Sequence, residues 1–377
     1  MNPHFWKNKN ILITGHTGFK GSWLSIWLKN LGANITGYSL PPPTNPSLFK
    51  LAKVFEGMNS IEGDVRDLDG ITAAFKKHSP EILIHMAAQP LVVKSYEDPY
   101  NTFTTNMLGT LNILEALRHS ESIKTAIIVT SDKCYQNKEW IWGYREHDNL
   151  GGIDPYSNSK ACAELITSAY RSSYFQKPKS PSKNISVATV RAGNVIGGGD
   201  WAQDRLIPDI MNSLFDDSLI TIRNPESIRP WQFVLEPLDG YLTLIERLHA
   251  HGNEYSEGWN FGPNEGDAQT VDWIVKKLSA LWGSEVNCKV LPQSHPYESK
   301  YLKLDCSKAH QQLQWRPKLN LNTTLEWVIE WYRGYCNNTN LKELTEKQIK
   351  TYQNLIILKF EKVSHGARHR NGGFIHP

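Results

Sequence analysis

Tyr156 and Lys160 stand four residues apart just after Pro155, a spacing that puts both side chains on one face of a helix. An ammonium beside a phenol favours phenolate, so the pair reads as a base working near neutral pH rather than near the ordinary tyrosine value of about 10. Ser131, closing the β-rich run Thr125–Ser131, would supply a hydroxyl to hold a substrate oxygen. Far upstream, Gly15-x-x-Gly18-x-x-Gly21 lies where the apolar run Ile11–Thr14 gives way to a helical pattern. Glycines at such a turn let backbone approach a pyrophosphate, and the helix N-terminus behind them offers unpaired N–H groups and positive potential. That chemistry is dinucleotide binding. The acid that would grip an adenosine ribose about 20 residues further on is missing. Gly37–Tyr38–Ser39–Leu40 runs instead into Pro41–Pro42–Pro43, with no Asp, Glu or nearby Arg. This position therefore does not choose between NAD and NADP. Asp64–Val65, after the third β-rich run, is a candidate contact to the adenine ring and equally an ordinary strand-end pair.

The elements that must position these groups alternate. Ile11–Thr14, Ile35–Ser39, a run ending at Glu62–Val65, Ile82–Ala88, Thr125–Ser131 and Ile185–Val195 read as strands. Gly18–Leu31, Leu68–His78, Pro99–His119 and Tyr156–Phe175 read as the helices between them. Such alternation predicts βαβ units and a parallel sheet, and runs such as Ile82–Ala88, which do not alternate apolar with polar, suit strands covered on both faces. The fold class is α/β: a Rossmann-type doubly wound parallel sheet with a smaller C-terminal substrate-binding domain. After about Val195 the rhythm changes. Gly197–Gly198–Gly199–Asp200–Trp201 opens a region rich in loops and prolines, with helical patterns at Glu236–His249, Val271–Trp282 and Leu321–Tyr335. The expected divisions are 1–195 for the dinucleotide-binding domain, joined by part of 232–260, then 196–337 for the substrate domain. Residues 338–377 read as a polar helix and a weakly ordered tail, and Lys177–Lys183 as a surface loop.

Composition narrows the partners. The 377 residues are 40% hydrophobic and 21% charged, which excludes general disorder. Lys+Arg is 41 against Asp+Glu 38, a net charge of +3 that gives no reason to expect nucleic acid or a membrane surface as partner. No apolar stretch approaches the ~20 residues of a spanning helix. Residues 1–10 lack the apolar region of a secretory leader. The five cysteines are odd in number and form no C-x-x-C pair, which fits reduced thiols in a cytoplasmic protein. His365 and His369, with His376 beyond, have the nearest thing to a metal-ligand spacing, but in a polar tail where solvated side chains and no metal are expected.

Taken together, Thr14–Gly15–His16–Thr17–Gly18–Phe19–Lys20–Gly21, Asp64–Val65, Ala87–Ala88–Gln89, Asn106, Tyr156 with Lys160, and Arg191-x-x-Asn194–Val195 resemble the extended short-chain dehydrogenases/reductases that modify nucleotide sugars. Within that branch, residues 5–337 are similar to the CDP-glucose 4,6-dehydratases through the stretches 15–23, 130–135, 198–209 and 228–238. The resemblance implies NAD as cofactor and CDP-glucose as the nucleotide-sugar substrate. It implies a redox-neutral dehydration to the 4-keto-6-deoxy sugar, in deoxysugar synthesis for O-antigen or other cell-surface polysaccharide. It further implies cofactor contacts from Gly15, Thr17, Gly18, Phe19, Lys20, Asp64, Val65, Ala87, Ala88, Gln89, Asn106, Tyr156 and Lys160. Substrate contacts would come from Gln89, Ser131, Asn194, Arg205, Arg229 and Trp231.

By the same resemblance Tyr156 takes the 4-hydroxyl proton, while Asp132 and Lys133 stand where related dehydratases carry Asp-Glu as acid and base. Lys133 is then either the base at C5 or an electrostatic partner of Asp132. Arg205 and Arg229 would clamp the diphosphate, to which guanidinium forks are suited. Trp201 and Trp231 either line the nucleotide pocket or fill the core. A homodimer is expected through Pro99–His119 and Tyr156–Phe175, with Phe103, Met107, Leu111 and Leu114 as one apolar stripe. The competing readings are a dehydratase or 4-epimerase for another nucleotide sugar, and a catalytically silent NAD-sensing scaffold. An epimerase needs no acid and base after Ser131, so Asp132–Lys133 speaks against it.

Overall fold

The computed structural model describes residues 1–176, 185–285, 288–290 and 301–368. The Lys177–Lys183 segment and the side chains of the His365, His369 and His376 group lie outside the described residues. Seven strands form one parallel sheet: β1 Asn10–Thr14, β2 Asn34–Ser39, β3 Asn59–Glu62, β4 Ile82–His85, β5 Thr125–Val129, β6 Ser186–Ala192 and β7 Gly258–Phe261. Their order is β7-β6-β5-β4-β1-β2-β3, so the chain reverses direction across the sheet between β1 and β4. In open α/β sheets, ligands bind beyond the C-terminal ends of the strands at such a switch point.

Strand residues alternate between two cores, as the two-residue side-chain period requires. Ile11, Ile13, Ile82, Ile84, Ile127, Ala188 and Val190 face one core, and Leu12, Leu83, Ala126, Ile128 and Val187 the other. On the first face lie α1 (Phe19–Asn30) and, further on, the helix Leu235–His251. On the second lie α2 (Leu68–His78), α3 (Gly109–Arg118) and α4 (Pro155–Tyr170). The Pro99–His119 pattern is one helical course, but not of one pitch. Pro99–Phe103 is α-helical, Thr104–Leu108 is a π-turn, and α3 continues from it. A second π-turn, Arg171–Phe175, ends the course of α4.

Four expected strand ends move inward: the sixth strand closes at Ala192 rather than Val195, and the other three stop short for local reasons. The third strand ends at Glu62, not Val65, because Asp67 caps α2 through the Gly70 N–H and draws Asp64–Val65 into the approach. β4 stops at His85 rather than Ala88, because the Thr14 hydroxyl accepts the N–H groups of Met86 and Ala87. β5 stops at Val129, and Ser131 caps a 3-10 turn, Asp132–Cys134.

The remaining helices are α5 Leu206–Phe215, α6 Leu235–His251, α7 Val271–Trp282, α8 Leu321–Cys336 and α9 Leu341–Arg368. α6 and β7 join the large sheet, while short pairs such as Val195–Ile196 with Gln232–Phe233 knit the loops beside it. The stretch after Asn337 departs from a purely polar helix. Ile349, Tyr352 and Ile356 of α9 are buried, the Tyr352 ring meets Trp27 of α1 edge-on, and its hydroxyl donates to Glu236 of α6 at 2.7 Å. Burial pushes Glu236 up to about 7. The five cysteines are free thiols. Among the described residues, no helix is long and apolar enough to cross a membrane, and no cluster of His, Cys, Asp and Glu could hold a metal ion.

Candidate active site

The glycine turn between β1 and α1 is tight by necessity. Gly15 has φ +76°, and a Cβ there would lie 2.7 Å from the Ala87 nitrogen; one on Gly21 would lie 2.2 Å from the Gly15 carbonyl. Gly18 is the N-cap of α1 and no side chain caps the helix, so the first-turn N–H groups face outward at the switch point. This cradle fits a dinucleotide pyrophosphate. At the end of β2, Thr17 Oγ1 bonds both the Ser39 hydroxyl and the Leu40 carbonyl at 2.9 Å, in the region where an acid would have gripped a ribose. Asp64 is engaged by the Arg66 guanidinium, which holds its carboxyl below the ordinary value.

Beyond β4, Asn106 sits in the π-turn and fastens the Ala87–Gln89 segment. Its Oδ1 accepts the Gln89 N–H at 2.8 Å, and its Nδ2 donates to the Gln89 carbonyl and to Ser159 of α4. The Gln89 side chain is occupied by Leu91 and Thr102, so it shapes its own loop rather than pointing free amide groups at a ligand. Thr14 and Thr110 bracket the His85 ring at 2.7 and 3.2 Å, and burial holds that imidazole neutral, down at about 3.

At the C-terminal end of β5 the chemistry converges. Ser131, Asp132, Tyr156 and Lys160 are all buried. The Ser131 hydroxyl donates to Asp132 Oδ1 at 3.0 Å and accepts the Lys133 N–H at 3.2 Å. Asp132 Oδ2 is buried with no partner among the described residues. Burial raises the proton affinity of Asp132, opposed by the Lys133 charge, the Ser131 hydrogen bond and Arg229.

The simple pairing of Tyr156 with Lys160 needs correction. The Lys160 ammonium donates to the Val129 carbonyl at 3.2 Å, and burial pushes the phenol up to about 12, against which Ser131 and Arg205 act. Lys160 itself is brought down to about 8 by burial, with Glu164 pulling it back up. The phenolate is therefore not prepared by the lysine alone.

Cations crowd this edge of the sheet. Lys20, on the first turn of α1, reaches the Tyr241 hydroxyl of α6 at 3.2 Å. Burial together with the charges of Lys160 and Arg205 brings it down to about 7, while Asp132 pulls the other way. Arg205, the N-cap residue of α5, is bonded to Asp200 at 2.9 Å and half-buried, in the charge field of Tyr156. Arg229 is buried and bonded to the Ile228 carbonyl, within reach of Asp132. Asn194 is half-buried, its carbonyl accepting the N–H of Gln232, three residues beyond Arg229. Such an excess of positive charge suits an anionic ligand.

Trp231 does not join the site. It is buried in the main core with its indole N–H on the Gln269 carbonyl. Trp201 packs edge-on against Tyr332 and Tyr335. Of the apolar stripe, Leu114 is buried inside the subunit, whereas Phe103, Met107 and Leu111 are half-buried.

Two residues escaped the sequence reading. Glu164 follows Lys160 by four positions, a visible helical pair, and it receives two hydrogen bonds from Arg191 at 2.8 Å. Tyr241 carried no signal at all: only the fold brings α6 across to the glycine turn.

The family model described as GDP-mannose 4,6 dehydratase matches residues 12–328. A CDP-glucose 4,6-dehydratase of Salmonella typhimurium is 49% identical over 352 residues, covering 93% of this chain and 98% of its own. Among solved structures, a dTDP-glucose 4,6-dehydratase from Bacillus anthracis in complex with NAD superposes with a TM-score of 0.70 at 21% identity, covering 86% of this chain and 96% of that one. A UDP-glucose 4-epimerase from Thermotoga maritima with UDP-glucose gives 0.74 at 23% identity, covering 87% and 99%.

Proposed function

From its place in the GDP-mannose 4,6-dehydratase family, to which the chain belongs, we propose that this protein is an NAD-dependent hydro-lyase converting CDP-glucose to CDP-4-keto-6-deoxyglucose. The full-length identity of 49% to a CDP-glucose 4,6-dehydratase carries the choice of substrate. The glycine cradle, Ala87 and the Tyr156–Lys160 edge would hold the dinucleotide between β1 and α4, with Asp64 and Val65 toward its adenosine end. When bound, that cofactor supplies a hydride acceptor for C4 and a hydride donor for C6. The protein's own groups handle the protons. Tyr156 takes the proton of the 4-hydroxyl, and the C4 ketone that results acidifies the hydrogen on C5. Lys133 removes the C5 proton, Asp132 Oδ2 protonates the departing 6-hydroxyl as water, and Lys133 returns its proton to C5. Arg205 and Arg229 neutralise the diphosphate, and Asn194 contributes beside them.

Residues 1–195 with 232–260 serve the dinucleotide, and 196–337 the nucleotide sugar. The protein works in the cytoplasm, in deoxysugar supply for lipopolysaccharide or a related surface polysaccharide. It does so as a homodimer whose contact includes Phe103, Met107 and Leu111, and one species of twice the chain mass in light scattering is the expected result. The deciding experiment incubates the protein with CDP-, UDP-, dTDP- and GDP-glucose and follows the base-induced absorbance of the 4-keto product. Turnover of CDP-glucose well above the others is expected; preference for another base would replace the substrate, and 4-epimer without 4-keto product would replace the reaction.

A further inference from the structure

His85 closes β4 beside the glycine turn, paired in register with Thr14 at the end of β1. It is 2% exposed, and the proton transfers above do not use it. Yet both ring nitrogens are engaged, and their partners allow one arrangement of protons. Thr14 Oγ1 accepts the N–H groups of Met86 and Ala87 at 3.1 and 3.2 Å, which fills its two lone pairs. Its own O–H therefore points to His85 Nδ1, 2.7 Å away. On the other side, Thr110 donates to the Asn106 carbonyl at 2.7 Å, since a carbonyl can only accept. Thr110 Oγ1 is then the acceptor for His85 Nε2 at 3.2 Å, and that nitrogen carries the proton. The result is one directed chain, from the Met86 and Ala87 N–H groups through Thr14, the imidazole and Thr110 to Asn106. An imidazolium would set a second donor against Thr14, so the chain requires the neutral ring, which burial also favours.

Both ends of this chain act on the same short segment. Thr14 holds Met86 and Ala87, and the Asn106 side chain holds Gln89 by its N–H and its carbonyl. The segment is the wall facing the glycine turn, where a Cβ on Gly15 would stand 2.7 Å from the Ala87 nitrogen. We propose that His85 is a positioning residue for the dinucleotide: as the Nε2–H tautomer it joins Thr14 to Thr110, so that Met86–Gln89 is set against the glycine turn before the cofactor arrives. Without the Nδ1 acceptor, the buried Thr14 hydroxyl would turn to find another and take its lone pairs off Met86 and Ala87. Without the Nε2 donor, Thr110 and the π-turn behind it lose their tie to β4. The imidazole thus sets both edges of the wall at once, although it meets no reacting atom itself.

The inference rests on the dinucleotide part of the reading above and not on the sugar. Two measurements on the full chain test it. In wild type carrying isotope-labelled histidine, nitrogen NMR should show His85 with a bare Nδ1 and a protonated Nε2 at neutral pH, its signals identified by their loss in His85→Asn. The opposite tautomer, or an imidazolium, would overturn the chain. NAD affinity is then read by titration calorimetry in His85→Asn, His85→Gln and His85→Leu. The asparagine keeps an acceptor near the place of Nδ1, the glutamine keeps a donor near that of Nε2, and the leucine keeps neither. His85→Leu should bind NAD about tenfold or more weakly, with the other two between it and wild type. In turnover the KM for NAD should rise while kcat at saturating NAD stays within about twofold. Should His85→Leu fail to fold, His85→Asn and His85→Gln carry the same comparison with wild type. Wild-type NAD affinity in every folded variant, or a fall in kcat with KM unchanged, would overturn the proposal. Failure of wild type itself to bind NAD would instead overturn the reading on which it rests.

Discussion

Glu164→Gln puts the buried support of the site to a quantitative test. Glu164 lies one turn beyond Lys160 on α4 and accepts four hydrogen bonds: two from Arg191 at 2.8 Å, one from Thr130 at 2.5 Å and one from Thr189 at 2.7 Å. The exchange keeps the shape but leaves the Arg191 guanidinium, 4% exposed, without its counter-charge. Breaking a buried pair on one side costs about 3–5 kcal/mol. With 377 residues, the unfolding entropy is about 0.8 kcal/mol per degree, so the melting temperature should fall by about 4–6 °C in scanning calorimetry. Adding Arg191→Met should recover most of that loss, because the stranded charge goes with it. The effect also reaches Lys160, which Glu164 helps to keep protonated. In Glu164→Gln the Lys160 ammonium should lose its proton at lower pH, and the alkaline limb of C4 oxidation should move down with it. A fall below 1 °C, or a double variant no more stable than the single one, would refute the reasoning.

Tyr156→Phe should cut the rate of reduced-nicotinamide formation by about 10²-fold or more while leaving the melting temperature near wild type; reduction at the normal rate would remove Tyr156 from the base role. Lys133→Met should still oxidise C4 but lose solvent exchange at C5 by about 10²-fold, whereas Asp132→Asn should keep that exchange and block loss of the 6-hydroxyl. Deuterium uptake read by mass spectrometry separates the two, and exchange at the wild-type rate in Lys133→Met would end its candidacy. Glu236 has a folded-state pKa of about 7 against an ordinary 4.5, so its contribution to stability is complete below the ordinary value and is lost as pH rises through 7. Wild type should therefore lose up to about 3 kcal/mol across that window relative to Glu236→Gln, measured by urea unfolding from pH 5 to 8; parallel profiles would contradict it.

The sheet was legible because its evidence is local. Ile82–Ile84 and Ala126–Val129 are unbroken apolar runs flanked by helical periods, and buried parallel strands need little more. The glycine turn and the Tyr156–Lys160 spacing were equally plain. Strand ends were less so, since they depend on single side-chain bonds such as Thr14 to the Met86 and Ala87 N–H groups. What lies beyond local pattern is which charge meets which. Lys160 stands beside Tyr156 in sequence, yet its ammonium is turned to Val129, while Lys20 and Tyr241 are separated by most of the chain and touch. Trp231 shows the same limit from the other side: an indole two residues from a buried arginine looks the same in sequence whether it faces a ligand or the core.

The π-turn at Thr104–Leu108 acts as a phase shifter between two gears. An α-helix turns about 100° per residue, and the wider turn lets Pro99–Phe103 and Gly109–Arg118 hold different rotational settings along one axis. The trailing half sets Ile113, Leu114 and Leu117 into the sheet, while Asn106, inside the shifter, locks onto Gln89 and Ser159. Deleting one residue here would give a better-formed helix and a worse protein. Either the core teeth would slip by a quarter-turn or more, or the pin holding the Ala87–Gln89 segment would leave its hole. Insertions and deletions elsewhere on this face can be absorbed by loops, but at this point length itself is information.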